Sequence, residues 1–286
     1  MSIEAMSWAE AHFSGADLGD ARPTKRLVAV MARMAEAPDE SIPTRMGTVA
    51  GAKAAYRLFA TGAVTHVFAT GAVTHASVMA PHRRLCLAEA AHHPVVLMVH
   101  DDTLLDLSGH PSLPETGRLG NGHGTGFIAH SGLAGLPNRE VLGLVHQAIW
   151  ARPPKDTPDV PSESRVWSDT VTSVGSAPEG GTFLSVGDRG ADVFDHLVTA
   201  RAAGWEVVVR AYHDRRMADG QRSLTALRQA KAQGAATVQT KRPRTERSPS
   251  ASPGVLWRSS HRVVAPTPPS GSPGSGSGAT AWSGFC

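Results

Sequence analysis

The order of apolar runs between residues 94 and 212 constrains this chain more than any other feature. The runs 94–100 (PVVLMVH), 125–136 (TGFIAHSGLAGL) and 140–150 (EVLGLVHQAIW) are short and rich in Val, Ile and Leu, with turn residues between them. They predict three consecutive strands, the last two joined as a hairpin through Pro137-Asn138-Arg139-Glu140. A helix is expected over 162–175, a strand over 182–187 (TFLSVG), a helix over 191–204 and a strand over 205–212 (WEVVVRAY). Strands that alternate with helices predict an α/β domain with parallel neighbours in its sheet.

Two of these strands run straight into carboxylates. Asp101 follows the first, in VVLMVHDDT, and Asp188 follows the fourth, in SVGDRGADVFDHL. A carboxylate at the mouth of a buried strand is costly unless solvated, paired or bound to a cation. Three strands, helix, strand, helix, strand is the order of a ribonuclease H-like fold, in which the first and fourth strands lie side by side. That arrangement brings Asp101 and Asp188 within reach of one cation. The hard oxygen ligands suit Mg²⁺, with Mn²⁺ as its substitute, and such ions activate an attacking oxygen and stabilise a leaving one in phosphodiester chemistry. A lone Asp after a strand is more often a helix cap, which is the expectation for Asp192 and Asp195.

Ahead of the strands the sequence predicts helices. Residues 22–36 place Leu27, Val30, Met31 and Met34 on one stripe, with Arg22, Lys25, Arg26 and Arg33 opposite, Asp20 and Pro23 at the start and Pro38 just beyond the end. A second helix over 48–59 carries Lys53, Tyr56 and Arg57. A basic helix face of this kind either grips phosphates or is simply solvated.

The sequence pI of about 9.1 does not by itself point to nucleic acid. Residues 241–286 hold six Lys and Arg against one Glu, whereas residues 1–240 hold 22 against 24 acidic residues. The basicity therefore belongs to a Ser/Pro/Gly-rich tail whose composition predicts disorder and whose onset, where the strand-helix pattern is still incomplete, suggests out-of-frame translation. FATGAVTHVFATGAVTHA, residues 59–76, is a tandem nonamer. Nine extra residues in a helix would rotate everything beyond by about half a turn, so the duplication is expected in a loop.

Some functions are disfavoured. The only cysteines are Cys86 and Cys286, which argues against a disulfide framework and a thiolate metal site. His100, His110, His123, His130 and His146 lie in or near the strands but show none of the His-x-x-x-His or His-Glu-x-x-His spacings of a zinc hydrolase, so packed or surface roles are expected. There is no Gly-x-Ser-x-Gly elbow, and GNGHGTG (120–126) precedes a strand where a phosphate loop precedes a helix. No run approaches the length of a membrane span and no signal-type segment opens the chain, so a cytoplasmic, nucleoid-associated protein is expected.

The words around these residues resemble the DDE transposases of the Tn-five and IS-four group of bacterial insertion sequences. The resembling segments are WAEAHFSGADLGDARPTKRLV (8–28), AYRLF (55–59), VHDDT (99–103), GNGHGTGFIAHSGL (120–133), VLGLVHQAIWAR (141–152), ESRVW (163–167), VGDRGADVFDHL (186–197) and VVVRAYHDR (207–215), collinear across roughly residues 7–240. The resemblance implies a helical DNA-binding domain over 1–90, a ribonuclease H-like catalytic core over 91–240, and a tail over 241–286. It implies transposon-end double-stranded DNA as partner, and a homodimer or a heterodimer with intact transposase. Asp101 and Asp188 match the first two catalytic, metal-binding aspartates, with Asp102 where the family has Thr and Gly190 where it has Glu. Arg210 and Arg215 match basic residues near DNA. The third carboxylate, a Glu in a Tyr-x-x-Arg-x-x-x-Glu word, has no counterpart: beyond Arg210 the only Glu is Glu246, outside any such frame. The expectation is a truncated enzyme with Mg²⁺ weakly bound and strand transfer crippled, or a non-catalytic remnant that occupies transposon ends and inhibits an intact copy.

Overall fold

The computed structural model describes residues 1–59, 72–120, 122, 124–160, 162–217 and 219–229. The tail and most of the duplicated nonamer lie outside these residues. The chain divides into two compact units, one formed by Met1–Pro94 with Leu133–His146, the other by Val95–Gly132 with the chain from Gln147 onward.

The first unit is built on helices α1 (Ile3–Phe13), α2 (Ala21–Glu36), α3 (Ile42–Met46), α4 (Val49–Phe59) and α5 (His75–Ala90). The amphipathic stripe expected over 22–36 is α2, whose N-cap Asp20 accepts the Arg22 amide at 2.7 Å and whose Leu27, Val28, Val30 and Ala32 are buried. Its core partners are Ala9, Phe13, Leu18 and Leu58. Helix α1 has no strong apolar stripe, because its inward positions Ala5, Ala9 and Phe13 are mostly small. α3 ends at Gly47, whose φ of 69° is the left-handed conformation that closes a helix. α5 opens on a capping box between Thr74 and Ser77 and contains Pro81 in its interior. Its buried residues are Pro81, His82, Cys86 and Ala90, a face without the usual apolar signature.

The sheet comprises β1 (Val95–Asp106), β2 (Gly117–Arg118), β3 (Thr125–Gly135), β4 (Val141–Trp150), β5 (Thr182–Gly187) and β6 (Glu206–Val209). Its order is β2-β3-β1-β5-β6, with β4 also paired to β3. β1 and β5 are parallel neighbours, as are β5 and β6. The turn 137–140 joins β3 to β4, the Leu136 amide donating to Glu140 O at 2.8 Å. Helix α6 (Arg165–Val174) precedes β5, and α7 (Phe194–Ala202) links β5 to β6. A 3₁₀ turn, Arg189–Ala191, precedes α7, which therefore begins three residues later than the sequence pattern implied. β6 is also shorter than expected, and the last helix described is α8 (Ser223–Gln229).

β1 buries Val96, Met98 and His100, the alternation of a strand with one covered face. It then continues six residues past His100 with exposed side chains. Backbone pairing holds that extension: the Leu107 amide donates to Thr125 O at 2.8 Å.

Candidate acidic site at the strand ends

β1 and β5 pair in the register Val95↔Thr182 through Val99↔Val186. Continued by two residues, the same offset sets Asp101 opposite Asp188. β5 and β6 pair from Leu184↔Glu206 through Gly187↔Val209, and one further step sets Asp188 opposite Arg210. The Arg210 amide donates to Gly187 O at 3.3 Å, extending the ladder to that level. Asp188 and Arg210, both exposed, directly follow the last paired residues of β5 and β6, and exposed Asp101 lies midway along β1, two residues beyond its last pair with β5. Ligands of open α/β sheets bind at the carboxyl ends of such strands.

Local hydrogen bonds orient the two carboxylates. Asp188 caps the 3₁₀ turn, its Oδ1 accepting the Gly190 amide at 2.6 Å. Asp101 Oδ1 accepts the Asp102 amide at 2.8 Å. In each case the backbone engages Oδ1 and leaves Oδ2 to solvent or a cation. Trp167 on α6 lies beneath this corner. A Cβ on Gly187 would sit 2.5 Å from Ala191 Cβ and 3.0 Å from Trp167 Cζ3, so the close approach requires glycine.

Asp102 faces the other way along the pleat. Its Oδ1 lies 2.7 Å from Nδ1 of the buried His130, at the start of a hydrogen-bonded chain that crosses the interior of the second unit. His130 Nε2 lies 3.3 Å from His100 Nδ1, His100 Nε2 lies 2.7 Å from Ser185 Oγ, and Ser185 Oγ lies 3.1 Å from His196 Nε2. At the far end His196 Nδ1 donates to Trp167 O at 3.2 Å. That carbonyl fixes the direction of the whole chain. Neutral His196 must accept from the Ser185 hydroxyl, which accepts from His100 Nε2–H, whose Nδ1 accepts from His130 Nε2–H. Burial pushes His196 down to about 4, so it stays neutral at ordinary pH.

Buried Asp192 is the second anchor. It accepts the amides of Tyr212 at 2.6 Å and His213 at 2.7 Å, and forms an ion pair with the Arg215 guanidinium, whose Nη2 also donates to Asp192 O at 2.7 Å. The expectation of a simple cap for Asp192 gives way to a buried bracket that holds the segment after β6. Arg215 is engaged in that bracket, whereas Arg210 stands exposed directly after β6.

In the first unit, Lys25 and Arg26 are exposed on α2, and Lys53 and Arg57 are exposed on α4. Arg22 is exposed and bonds Asp20 at 3.1 Å. Arg33 is half-buried, with Nη1 3.4 Å from Arg45 O. Among the described residues no third His, Cys, Asp or Glu brings a ligand atom to Asp101 and Asp188. None of the described helices is long and apolar enough to cross a membrane.

Residues 5–64 match the family model described as transposase DNA-binding, so the helical first unit carries the sequence pattern of a transposase DNA-binding region. Among solved structures, the chain is similar to the Mos1 strand transfer complex at 12% identity and a TM-score of 0.23, covering 64% of this chain and 57% of that one. It is similar to a pre-cleavage Mos1 transpososome at 11% identity and a TM-score of 0.23, covering 67% and 68%. TM-scores this low assign no fold.

Proposed function

We propose that this chain is a DDE-type transposase of the Tn-five and IS-four group, with a helical unit that grips transposon-end DNA and a ribonuclease H-like sheet that carries two of the three catalytic carboxylates. The observation that carries the reading is the parallel pairing of β1 with β5, Val95↔Thr182 through Val99↔Val186, with Asp101 and Asp188 each two residues further along. The transposase DNA-binding match over 5–64 supports the DNA half. The strand order, with β1 central between β3 and β5, supports the ribonuclease H-like half.

In this reading Asp101 and Asp188 hold Mg²⁺, or Mn²⁺ in its place, and Asp102 is a positioning residue tied to His130. The bound cation would stabilise charge on the oxygens of a phosphodiester. Asp188 is oriented by the Gly190 amide, and Arg210 beside it offers a cation to a phosphate. Lys25, Arg26, Arg33, Lys53 and Arg57 contact the DNA backbone, and Arg22 joins them at the cost of a weak exposed pair with Asp20. Two carboxylates bind a hard cation loosely, so end binding dominates, and cleavage and strand transfer are slow or absent. The second reading, a binder that occupies ends and hinders an intact copy, follows from the same geometry if the acidic pair never loads metal.

Duplex DNA taken from the genomic sequence flanking the reading frame tests both halves. Binding should persist in EDTA and weaken with salt. Replacing Lys25, Arg26 and Arg33 by Ala should flatten the log–log salt slope by about 0.9 for each phosphate no longer neutralised. An unchanged slope would remove α2 from the interface. Mg²⁺-dependent nicking that is lost in Asp188→Asn would favour the enzyme, and nicking that survives it would place the chemistry elsewhere.

A further inference from the structure

The first unit contains a second cluster of donor atoms, unrelated to Asp101 and Asp188. His12 lies near the end of α1, and His82 and Cys86 lie one turn apart on α5. One ligand atom from each falls within 4.8 Å of the others. His12 Nδ1 and His82 Nδ1 are 2.8 Å apart, and Cys86 Sγ is 3.9 Å from His82 Nδ1. Two nitrogens and a thiolate around tetrahedral zinc stand about 3.3 Å (N to N) and about 3.6 Å (N to S) apart. The two printed separations lie within about 0.5 Å of those values.

We propose that His12, His82 and Cys86 form a site for a borderline-soft divalent cation of the Zn²⁺ class, with the fourth position open to water on the half-buried His12 side. Nitrogen and thiolate donors select such metals over Mg²⁺. The surroundings hold the donors in place. The Phe13 ring stacks on His82 at 5.9 Å and 7°, Trp8 packs on His12 at 5.0 Å, and Cys86 is 1% exposed. Gly143 closes one side: a Cβ there would lie 2.4 Å from Cys86 Sγ and 2.9 Å from the His82 ring, so only glycine admits the cluster. A count of two cysteines disfavours a thiolate site, but two imidazoles folded onto one of them leave no mark in such a count.

The metal-free cluster satisfies itself, which defines the exchange on loading. The Leu144 amide donates to His82 Nε2 at 3.1 Å, so the His82 proton sits on Nδ1 and is donated to His12 Nδ1. The Cys86 thiol donates to Leu142 O at 3.2 Å. On loading, the thiol proton leaves to solvent, the His82 proton moves from Nδ1 to Nε2, and both Nδ1 lone pairs and the thiolate bind the cation. One proton is released, and the Leu144 amide loses its acceptor. Because loading releases a proton, affinity should climb with pH.

Co²⁺ titrated into the full chain, with Cys286→Ser as background so that Cys86 is the only thiol, tests the site. Expected are one equivalent of Co²⁺ with sulfur-to-cobalt charge-transfer absorption, its displacement by Zn²⁺, release of one proton, and a shift of the Leu144 amide resonance. The absorption should vanish in Cys86→Ser and in His12→Gln, with the far-ultraviolet circular dichroism of each variant confirming the fold. His12→Gln is the safer variant because His12 is only half-buried. No thiolate absorption in the folded background protein overturns the proposal, as does absorption that survives His12→Gln.

Discussion

Asp101 and Asp188 each lie two residues beyond the last pair, Val99 with Val186, of the parallel neighbours β1 and β5. Asp102, one residue along, is held by His130 at 2.7 Å. A cation bound at Asp101 and Asp188 should therefore distinguish the two adjacent aspartates. In Mn²⁺ titrations followed by electron paramagnetic resonance, Asp101→Asn and Asp188→Asn should each weaken binding by at least about tenfold. Asp102→Asn should leave it within about threefold, since that side chain is directed into the histidine chain. Equal loss in all three variants would contradict the assignment of Asp101.

The Asp192–Arg215 bracket makes a different prediction for a residue that the sequence resemblance places near DNA. Asp192 is 2% exposed, and its pair with Arg215 is accompanied by two backbone amides. Removing one partner of a buried pair leaves an uncompensated charge, at a cost of about 3 kcal/mol. Arg215→Ala should therefore lower the urea midpoint strongly. If stability is its main contribution, the salt slope of DNA binding by the folded variant stays unchanged. Arg210→Ala should do the reverse, lowering the slope with little effect on the midpoint.

His196 sets a pH dependence. Its folded-state value, about 4, lies below the 6.5 of an unperturbed histidine because burial penalises the charged form. A depressed histidine favours folding while it is neutral in both states, so its contribution is complete above 6.5. As pH falls from 6.5 towards 4 the unfolded chain takes up the proton first, and roughly 3 kcal/mol of stability is lost across that window. Urea denaturation at pH 7.5 and pH 5 should show about 2 kcal/mol of this drop. His196→Gln should be less stable at pH 7.5 and show a smaller drop between the two, although half-buried His12 and buried His82 contribute a remainder of the same sign.

Legibility in the sequence followed the physical signal each element carries. α2 was readable because Leu27 and Val30 repeat at helical spacing beneath a capping Asp20. β3, β4 and β5 were readable to within a residue because their apolar runs end at turns. α5 was not, since Pro81 interrupts it and its inward residues include His82 and Cys86. The far half of β1 was hidden because every side chain from Asp101 to Asp106 is exposed and no apolar alternation marks it. Carboxylates that follow apolar runs single out Asp101 and Asp188 in the sequence. The histidine chain depends on partners 85 and 11 residues apart, Ser185 with His100 and with His196, which no local pattern encodes. His100 did carry a hint, because it falls in the buried phase of β1 after Val96 and Met98.

Gly187 links the packing of the second unit to the acidic pair. It is the last residue of β5, and a methyl group on it would meet Ala191 at 2.5 Å and Trp167 at 3.0 Å. Trp167 packs against His100, His130 and His196, with centroid distances of 4.9, 4.6 and 6.0 Å, so it has little room to retreat. Gly187→Ala should cost about 1–3 kcal/mol through overpacking. The strain should fall on the 3₁₀ turn, where Ala191 is buried but Arg189 and Gly190 are exposed and can shift with it, and should carry Asp188 away from its place beside Asp101. The variant should thus lose Mn²⁺ affinity nearly as far as Asp188→Asn while keeping most of its secondary structure. Calorimetric unfolding alongside the Mn²⁺ titration separates the two effects, and a destabilised variant with unchanged cation affinity would show that Gly187 serves packing alone.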